Sequence, residues 1–343
     1  MKLARDWWLP GLTWRSAPLL PLAWLIGRAG AARRAVYRLG WRIQHHLPVP
    51  VLVVGNLTVG GSGKTPLVIH LATELARLGR RPGVISRGFG RRTHAVVEVG
   101  PHSRPGESGD EPLLIRRRAG CPVFVGSERV DAARALLAAY PTTDLIIADD
   151  GLQHLRLARD YQIAVFDERG AGNGRLLPAG PLREPLARAA MMDALVANGA
   201  GANDAIAAAI GGNPGRPLFA MRLVAGDFYN LASPALTCPP SLFAARHAAM
   251  VAAVAGIGNP ARFFATLRTL GLTVLPHPFP DHHGFSRDDL ARIEAHHIVM
   301  TEKDALKCVA FDDPRIWVAP VTAEVDGGLI VSILEKLRGY KAA

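Results

Sequence analysis

Short apolar runs alternate with amphipathic stretches along most of the chain. Residues 49–57 form a continuous apolar run, the mark of a strand buried on both faces, and lead into the turn Thr58-Val-Gly-Gly-Ser-Gly-Lys-Thr65. Beyond it Leu67, Leu71, Leu75 and Leu78 recur on one face. That spacing predicts a helix over residues 66–78, with Pro66 in its first turn and Gly79 as its stop. Further strands are predicted at residues 83–86, 95–99, 121–126, 144–148, 161–166 and 194–197, with a helix over 128–139. This rhythm predicts an α/β fold of the P-loop NTPase-like kind, a mostly parallel sheet covered by helices. A second, smaller α/β unit is expected from about Met221, with strands at 250–255, 273–275, 298–301 and 316–321. Its clearest helix starts at Ser286, where Ser286-Arg-Asp-Asp289 resembles a capping box and turns Leu290 and Ile293 inward. The glycine- and alanine-rich stretch 199–217 suggests a boundary. The expected division is an N-terminal amphipathic arm at 1–46, a P-loop domain at 47–215, a second domain at 216–325 and a C-terminal helix at 326–343.

Composition narrows the setting. The 343 residues suffice for two moderate cores. Cys121, Cys238 and Cys308 are far apart and share no metal-ligand spacing, which argues against a disulfide framework or zinc site and favours a reducing compartment. A net charge of +11 calls for an anionic partner. Five of the six tryptophans, Trp7, Trp8, Trp14, Trp24 and Trp41, are interleaved with arginines in the first 42 residues. Such a mixture suits a lipid interface. Its most apolar part, residues 17–26, is about half the length needed to cross a bilayer and contains Pro18 and Pro21, so peripheral contact is expected; the alternative is an arm packed on its own domain.

The turn after the first strand reads as a P-loop. Thr58, Val59, Gly60, Gly61, Ser62 and Gly63 present backbone N–H groups to phosphate oxygens, Lys64 adds a charge at the outer phosphates, and Thr65 offers a hydroxyl to Mg²⁺. ATP and Mg²⁺ are the expected cofactors. Thr58 stands where a glycine is usual. The apolar strand ending Asp149-Asp150-Gly151 delivers acids toward a metal, with a solvated turn as its alternative. Arg87, Arg91 and Arg92 flank two glycines at the end of the next strand, where guanidinium groups suit phosphate. Asp110 is either a helix cap or a site residue; Asp281-His282-His283 is either an acid/base pair or a surface turn.

Together, residues 56–66, Ser86-Arg-Gly-Phe-Gly-Arg-Arg92, Gly109-Asp-Glu-Pro112, Asp149-Asp-Gly-Leu-Gln-His154, Leu177-Pro-Ala-Gly-Pro-Leu-Arg-Glu184, Asp281-His282 and Thr301-Glu-Lys-Asp304 resemble the tetraacyldisaccharide 4'-kinases, in the same order and over nearly the whole chain. The resemblance accounts for Thr58. It implies transfer of the ATP γ-phosphate to the 4'-hydroxyl of a tetraacylated glucosamine disaccharide 1-phosphate, forming lipid IVA in lipid A biosynthesis, at the cytoplasmic face of the inner membrane. It implies Lys64, Asp110 and His282 as catalytic groups, Arg87 and the P-loop as nucleotide contacts, and Thr65, Asp149, Asp150 and Glu184 around the metal. Its implied partners are an anionic acylated disaccharide and, through the arm, a membrane surface. Phe89 departs from the tyrosine common in that family, and His283 follows His282 directly, leaving open which imidazole pairs with Asp110.

Two rivals differ in what they require. An ATPase switch has no need of Asp110 or His282. A nucleic-acid module would use the charge, but the aromatics are gathered in the arm rather than on a sheet face, and no nucleic acid is expected.

Overall fold

The computed structural model describes residues 6–91, 93–210, 215–246 and 250–338. After a 3₁₀ turn, helix α1 (Leu20–Arg38) precedes strand β1 (Val51–Gly55) and α2 (Lys64–Arg77). Then come β2 (Pro82–Ser86), β3 (Val97–Glu98), the single turn α3 (Pro105–Ser108), α4 (Asp110–Ala119), β4 (Val123–Val125) and α5 (Arg129–Ala139). Strands β5 (Leu145–Asp149), β6 (Tyr161–Asp167) and β7 (Ala194–Asn198), helix α6 (Ala202–Ile210) and β8 (Leu218–Ala225) complete this run. The second lobe holds β9 (Phe228–Asn230), β10 (Thr237–Cys238), α7 (Pro240–Arg246), β11 (Val251–Ala255), α8 (Pro260–Thr269), β12 (Val274–Pro278), α9 (Arg287–Ala291), β13 (Ile298–Thr301), α10 (Glu302–Cys308) and β14 (Ile316–Ala319). The chain then returns to the first lobe with β15 (Val321–Val325) and α11 (Gly328–Leu337).

The first sheet has nine strands in the order β15-β8-β7-β6-β1-β5-β2-β4-β3, parallel except for its two edges. Its central strands are buried along their length because helices cover both faces. Alternation along β1 sends Leu52 and Val54 to a core with α2, α4 and α11, and Val51 and Val53 to a core with α5 and α6. The second sheet runs β10-β9-β14-β13-β11-β12, and its two faces bury Phe263, Phe264 and Leu267 of α8 on one side and Leu290 and Ala305 on the other.

The expected domain limits change. The boundary expected within 199–217 is not found: α6 follows β7, and β8 pairs in parallel with β7 and extends the first sheet. The strand expected over 316–321 is two strands in different sheets, separated at Pro320. Strand β15 pairs antiparallel with β8, and α11 buries Leu329, Ile333 and Leu337 in the first core. The second lobe is therefore an insertion between residues 225 and 321, and its two connections touch where Gly226 N donates to Pro320 O.

The arm also divides. Trp7 donates from its indole nitrogen to Pro178 O, and Arg169 stacks over Trp8 at 4.0 Å, so these two pack on their own domain, contrary to the lipid-facing expectation. Trp14, Trp24 and Trp41 are more than 60% exposed. Among the described residues no helix is long and apolar enough to cross a membrane.

Candidate active site

The P-loop is held in shape by side chains rather than by its glycines alone. Gly60 and Gly63 have φ of 95° and 94°, the region open to glycine. A Cβ on Gly63 would overlap Asn198 Nδ2. Asn198, at the end of β7, donates to Ser62 O (2.9 Å) and accepts from Arg262 of α8 (2.8 Å), while Asn56 donates to Gly60 O (3.3 Å). Helix α2 begins at Lys64, two residues earlier than its apolar spacing predicts, with Gly63 as its cap. Its start therefore aims the first-turn N–H groups into the loop.

Parallel pairing of β1 with β5 sets Val54 opposite Asp149, so the P-loop and the paired acids leave the sheet at one edge. Lys64 Nζ lies 3.7 Å from Asp150 Oδ1, and Arg183 donates to both oxygens of Asp150 at 2.9 and 3.1 Å. Burial would raise the Asp150 pKa, but Lys64 and Arg183 outweigh it and hold the carboxyl below its ordinary range. Asp150 itself has φ of 49°, the left-handed conformation that an aspartate tolerates at the end of a strand. Asp149 differs. It is 1% exposed and accepts from Ser86 Oγ (3.1 Å) with one oxygen only. Burial, with Glu111 and Asp150 adding to it, pushes its pKa up to about 7. Its Oδ1, together with Asn56 Oδ1 and Ser62 Oγ, is buried without a protein partner. Three unpartnered polar atoms, two in the P-loop segment and one at the end of the adjacent strand, are what a polyanion and its cation would satisfy. Arg129, buried behind the acids and missed by sequence reasoning, is lowered to about 10 by burial.

The expected metal set is only partly assembled. Glu184 accepts from Arg188 (3.0 Å), Gln153 (3.0 Å) and Arg34 (3.5 Å), so two guanidinium groups already neutralise it. Its contact is indirect, since Gln153 also donates to Asn56 O at 3.3 Å. Among the described residues no three His, Cys, Asp or Glu groups converge as a metal cage. Mg²⁺ needs none when phosphates and water complete its shell, and a hydroxyl and one free carboxylate oxygen suit it.

Arg87 follows Ser86 directly and is exposed on the same edge. Arg91 is used by its own loop, donating to the carbonyls of His94 and Ala95, and Arg92 lies outside the described residues.

A second cluster forms where the lobes meet. Asp110 opens α4, but Gly109 is the cap residue, and the Asp110 side chain turns to the second lobe. His282 Nδ1 lies 3.1 and 3.2 Å from its two oxygens. His283 instead meets Asp289 at 3.2 Å and packs between Phe279 and Phe285, which settles the choice between the imidazoles. Burial alone would raise the Asp110 pKa; the His282 hydrogen bond and the ammonium groups of Lys303 and Lys307 bring it down to about 2. For His282 the opposite balance holds, because burial lowers it and Asp110 raises it further. The Phe89 ring lies 4.7 Å from the His282 ring. The two clusters adjoin through Gly258, where an added Cβ would lie 2.8 Å from Gly61 N and 3.3 Å from Asp281 Oδ2.

The tetraacyldisaccharide-1-P 4'-kinase family model matches residues 15–338. The chain belongs to this family. Tetraacyldisaccharide 4'-kinases of Janthinobacterium sp. (strain Marseille) and Dechloromonas aromatica (strain RCB) are 49% and 48% identical, the alignments covering 99% and 95% of this chain and 97% and 93% of theirs. The crystal structure of LpxK from Aquifex aeolicus in complex with ATP superposes with a TM-score of 0.76 at 29% identity, covering 94% of this chain and 99% of that one. In this member of the tetraacyldisaccharide-1-P 4'-kinase family, Arg129, Arg183, Lys303 and Lys307 were not selected from the sequence. Arg183 and Lys303 sit inside motifs that were quoted, beside the acids that drew attention.

Proposed function

We propose that the protein transfers the γ-phosphate of ATP to the 4'-hydroxyl of a tetraacyldisaccharide 1-phosphate, forming lipid IVA in lipid A biosynthesis, with the P-loop and the Asp110–His282 pair as its two working parts. The observation that carries this reading is the approach of the P-loop to the Asp281-His282 turn across Gly258. An ATPase switch gives no reason for a buried carboxylate–imidazole pair beside the phosphate loop.

Backbone N–H groups of residues 60–63 and the Lys64 ammonium bind the phosphates, and Arg87 adds charge at the same rim; the Val59 N–H, expected among these donors, is instead given to Pro181 O at 2.8 Å. Thr65 and the free oxygen of Asp149 would hold Mg²⁺, which supplies charge neutralisation for the transferring group. Asp150, tied to Lys64 and Arg183, keeps both cations aimed at that rim. Glu184 acts through Gln153 on the Asn56 backbone. Asp110, oriented by His282 Nδ1–H, accepts the proton of the sugar hydroxyl, a contribution of about 10²- to 10⁴-fold; most of the acceleration is electrostatic.

The anionic, acylated substrate fits a basic chain in which exposed Trp14 and Trp24 stack with Arg15 and Arg28, and exposed Trp41 precedes Arg42 in sequence. We place that arm on the cytoplasmic face of the inner membrane, as a peripheral contact. Purified protein incubated with Mg-ATP and tetraacyldisaccharide 1-phosphate in detergent should yield a product carrying a second phosphate. ATP hydrolysis without that product would reject the reading.

A further inference from the structure

The motif Thr301-Glu-Lys-Asp304 has no part in the mechanism above, yet it is built into the same cluster. Asp304 is fully buried and accepts from Gly256 N (2.9 Å) and Thr301 Oγ1 (2.8 Å), which pins the start of α10 to the end of β11. The preceding residue, Lys303, is thereby aimed across the lobe boundary. Its Nζ lies 2.8 Å from Glu111 Oε1, 3.5 Å from Asp281 Oδ1 and 3.8 Å from Asp110 Oδ2, and 3.5 Å from His282 Nε2. Its side chain is 14% exposed, so the charge is poorly screened.

We propose that Lys303 is a positioning residue for the Asp110–His282 pair, fixing the imidazole in the form with Nδ1–H toward Asp110 and weakening its hold on a second proton. The proposal rests on the Asp110–His282 reading and deepens it. An ammonium can only donate. Facing Nε2, it makes that nitrogen the acceptor and leaves the ring proton on Nδ1, where Asp110 needs it. The charges around the ring are Asp110 from α4, Asp281 beside it in sequence and Lys303 from α10; Phe89 adds a neutral ring, and Lys307 lies 3.4 Å from Asp110. Glu111 acts through Lys303. Four carboxylates, Asp110, Asp281, Glu111 and the buried Asp304 that Lys307 meets at 3.1 Å, stand against two ammonium groups and leave the cluster two negative charges when His282 is neutral. Without Lys303 the excess rises to three, and the imidazole keeps its proton to a higher pH. A protonated ring withdraws basicity from Asp110, so turnover should rise with pH as the ring proton leaves.

The test is the pH dependence of kcat with Mg-ATP and tetraacyldisaccharide 1-phosphate in detergent micelles. Lys303→Met should move the rising midpoint up by about one pH unit and leave the KM for ATP close to that of the parent protein. Lys303→Arg, which keeps the charge, should restore the midpoint. Glu111→Gln should move it down, and this keeps the proposal falsifiable if Lys303→Met does not fold. A residue that merely latched the lobes would lower kcat at every pH, and midpoints unmoved in Lys303→Met and Glu111→Gln would overturn the proposal. Asp110→Asn serves as the control for the underlying reading: loss of turnover there with unmoved midpoints removes the role of Lys303 alone, whereas normal turnover in Asp110→Asn removes both.

Discussion

Neighbouring residues in this protein divide sharply by what they touch. Asp149 and Asp150 are adjacent in sequence, yet one has a single partner, Ser86, with its second oxygen unpaired, and the other is held by two cations. His282 and His283 separate in the same way, one toward Asp110 and one into an aromatic pocket. Residue types and order were legible without coordinates, and so were the roles of Lys64, Asp110 and His282 as candidates. The assignment between adjacent residues was not, because it depends on which way a backbone turns at one position. Glu184 shows the limit most clearly: its motif suggested a metal, and its three partners come from α1, the segment after β5 and a turn of its own loop. At this scale Lys64→Ala should lower kcat by about 10²- to 10³-fold, the range for removing a preorganised charge, measured by initial rates at saturating ATP. Asp110 makes a pH prediction for stability. Its folded pKa of about 2 lies below the value of an unfolded aspartate, about 3.9, so its stabilising effect is present above pH ~4 and lost as pH falls from ~4 to ~2. The difference in denaturation midpoint between the parent protein and Asp110→Asn should shrink across that interval.

Elements were read well where hydrophobic period was strong. Strand β1, helix α2, helix α5 and the Ser286 capping box follow directly from their residues, the last with Ser286 Oγ accepting from Asp289 N at 3.2 Å. Boundaries set by long-range pairing were not. The residues 316–325 carry one apolar pattern but serve two sheets, and nothing local marks β8 as a partner of β7 rather than the start of a new unit. The loop at Gly258 belongs to the same category, since its need for glycine comes from a P-loop about two hundred residues earlier in the chain. Gly258→Ala should push the two loops apart and raise the KM for ATP several-fold while changing the melting temperature little. Gly63→Ala should be harsher. It adds an overlap with Asn198 and a strained φ, costing about 1–3 kcal/mol, and calorimetry with ATP titration should find lower stability and no measurable binding.

Over the whole molecule, the arm and the second lobe approach the first lobe from different connections. The arm splits its tryptophans between packing and exposure, which predicts two distinct phenotypes. Replacing Trp14, Trp24 and Trp41 by Ala should cut co-sedimentation with anionic lipid vesicles while leaving the melting temperature unchanged. Trp7→Ala should lower the melting temperature instead, because its indole bonds Pro178 O.

The two crossings to the second lobe leave the first sheet from paired strands, with Ala225 opposite Val321. Topologically, that is a hairpin whose tip has been opened to admit nearly a hundred residues. Closing it again with a two-residue turn would produce a shorter protein with the nine-stranded sheet uncut and the phosphate loop in place. Such a truncated form should retain nucleotide and keep Asp110, but without the His282 and Lys303 that orient it, separating by deletion phosphate binding from the positioning of the base.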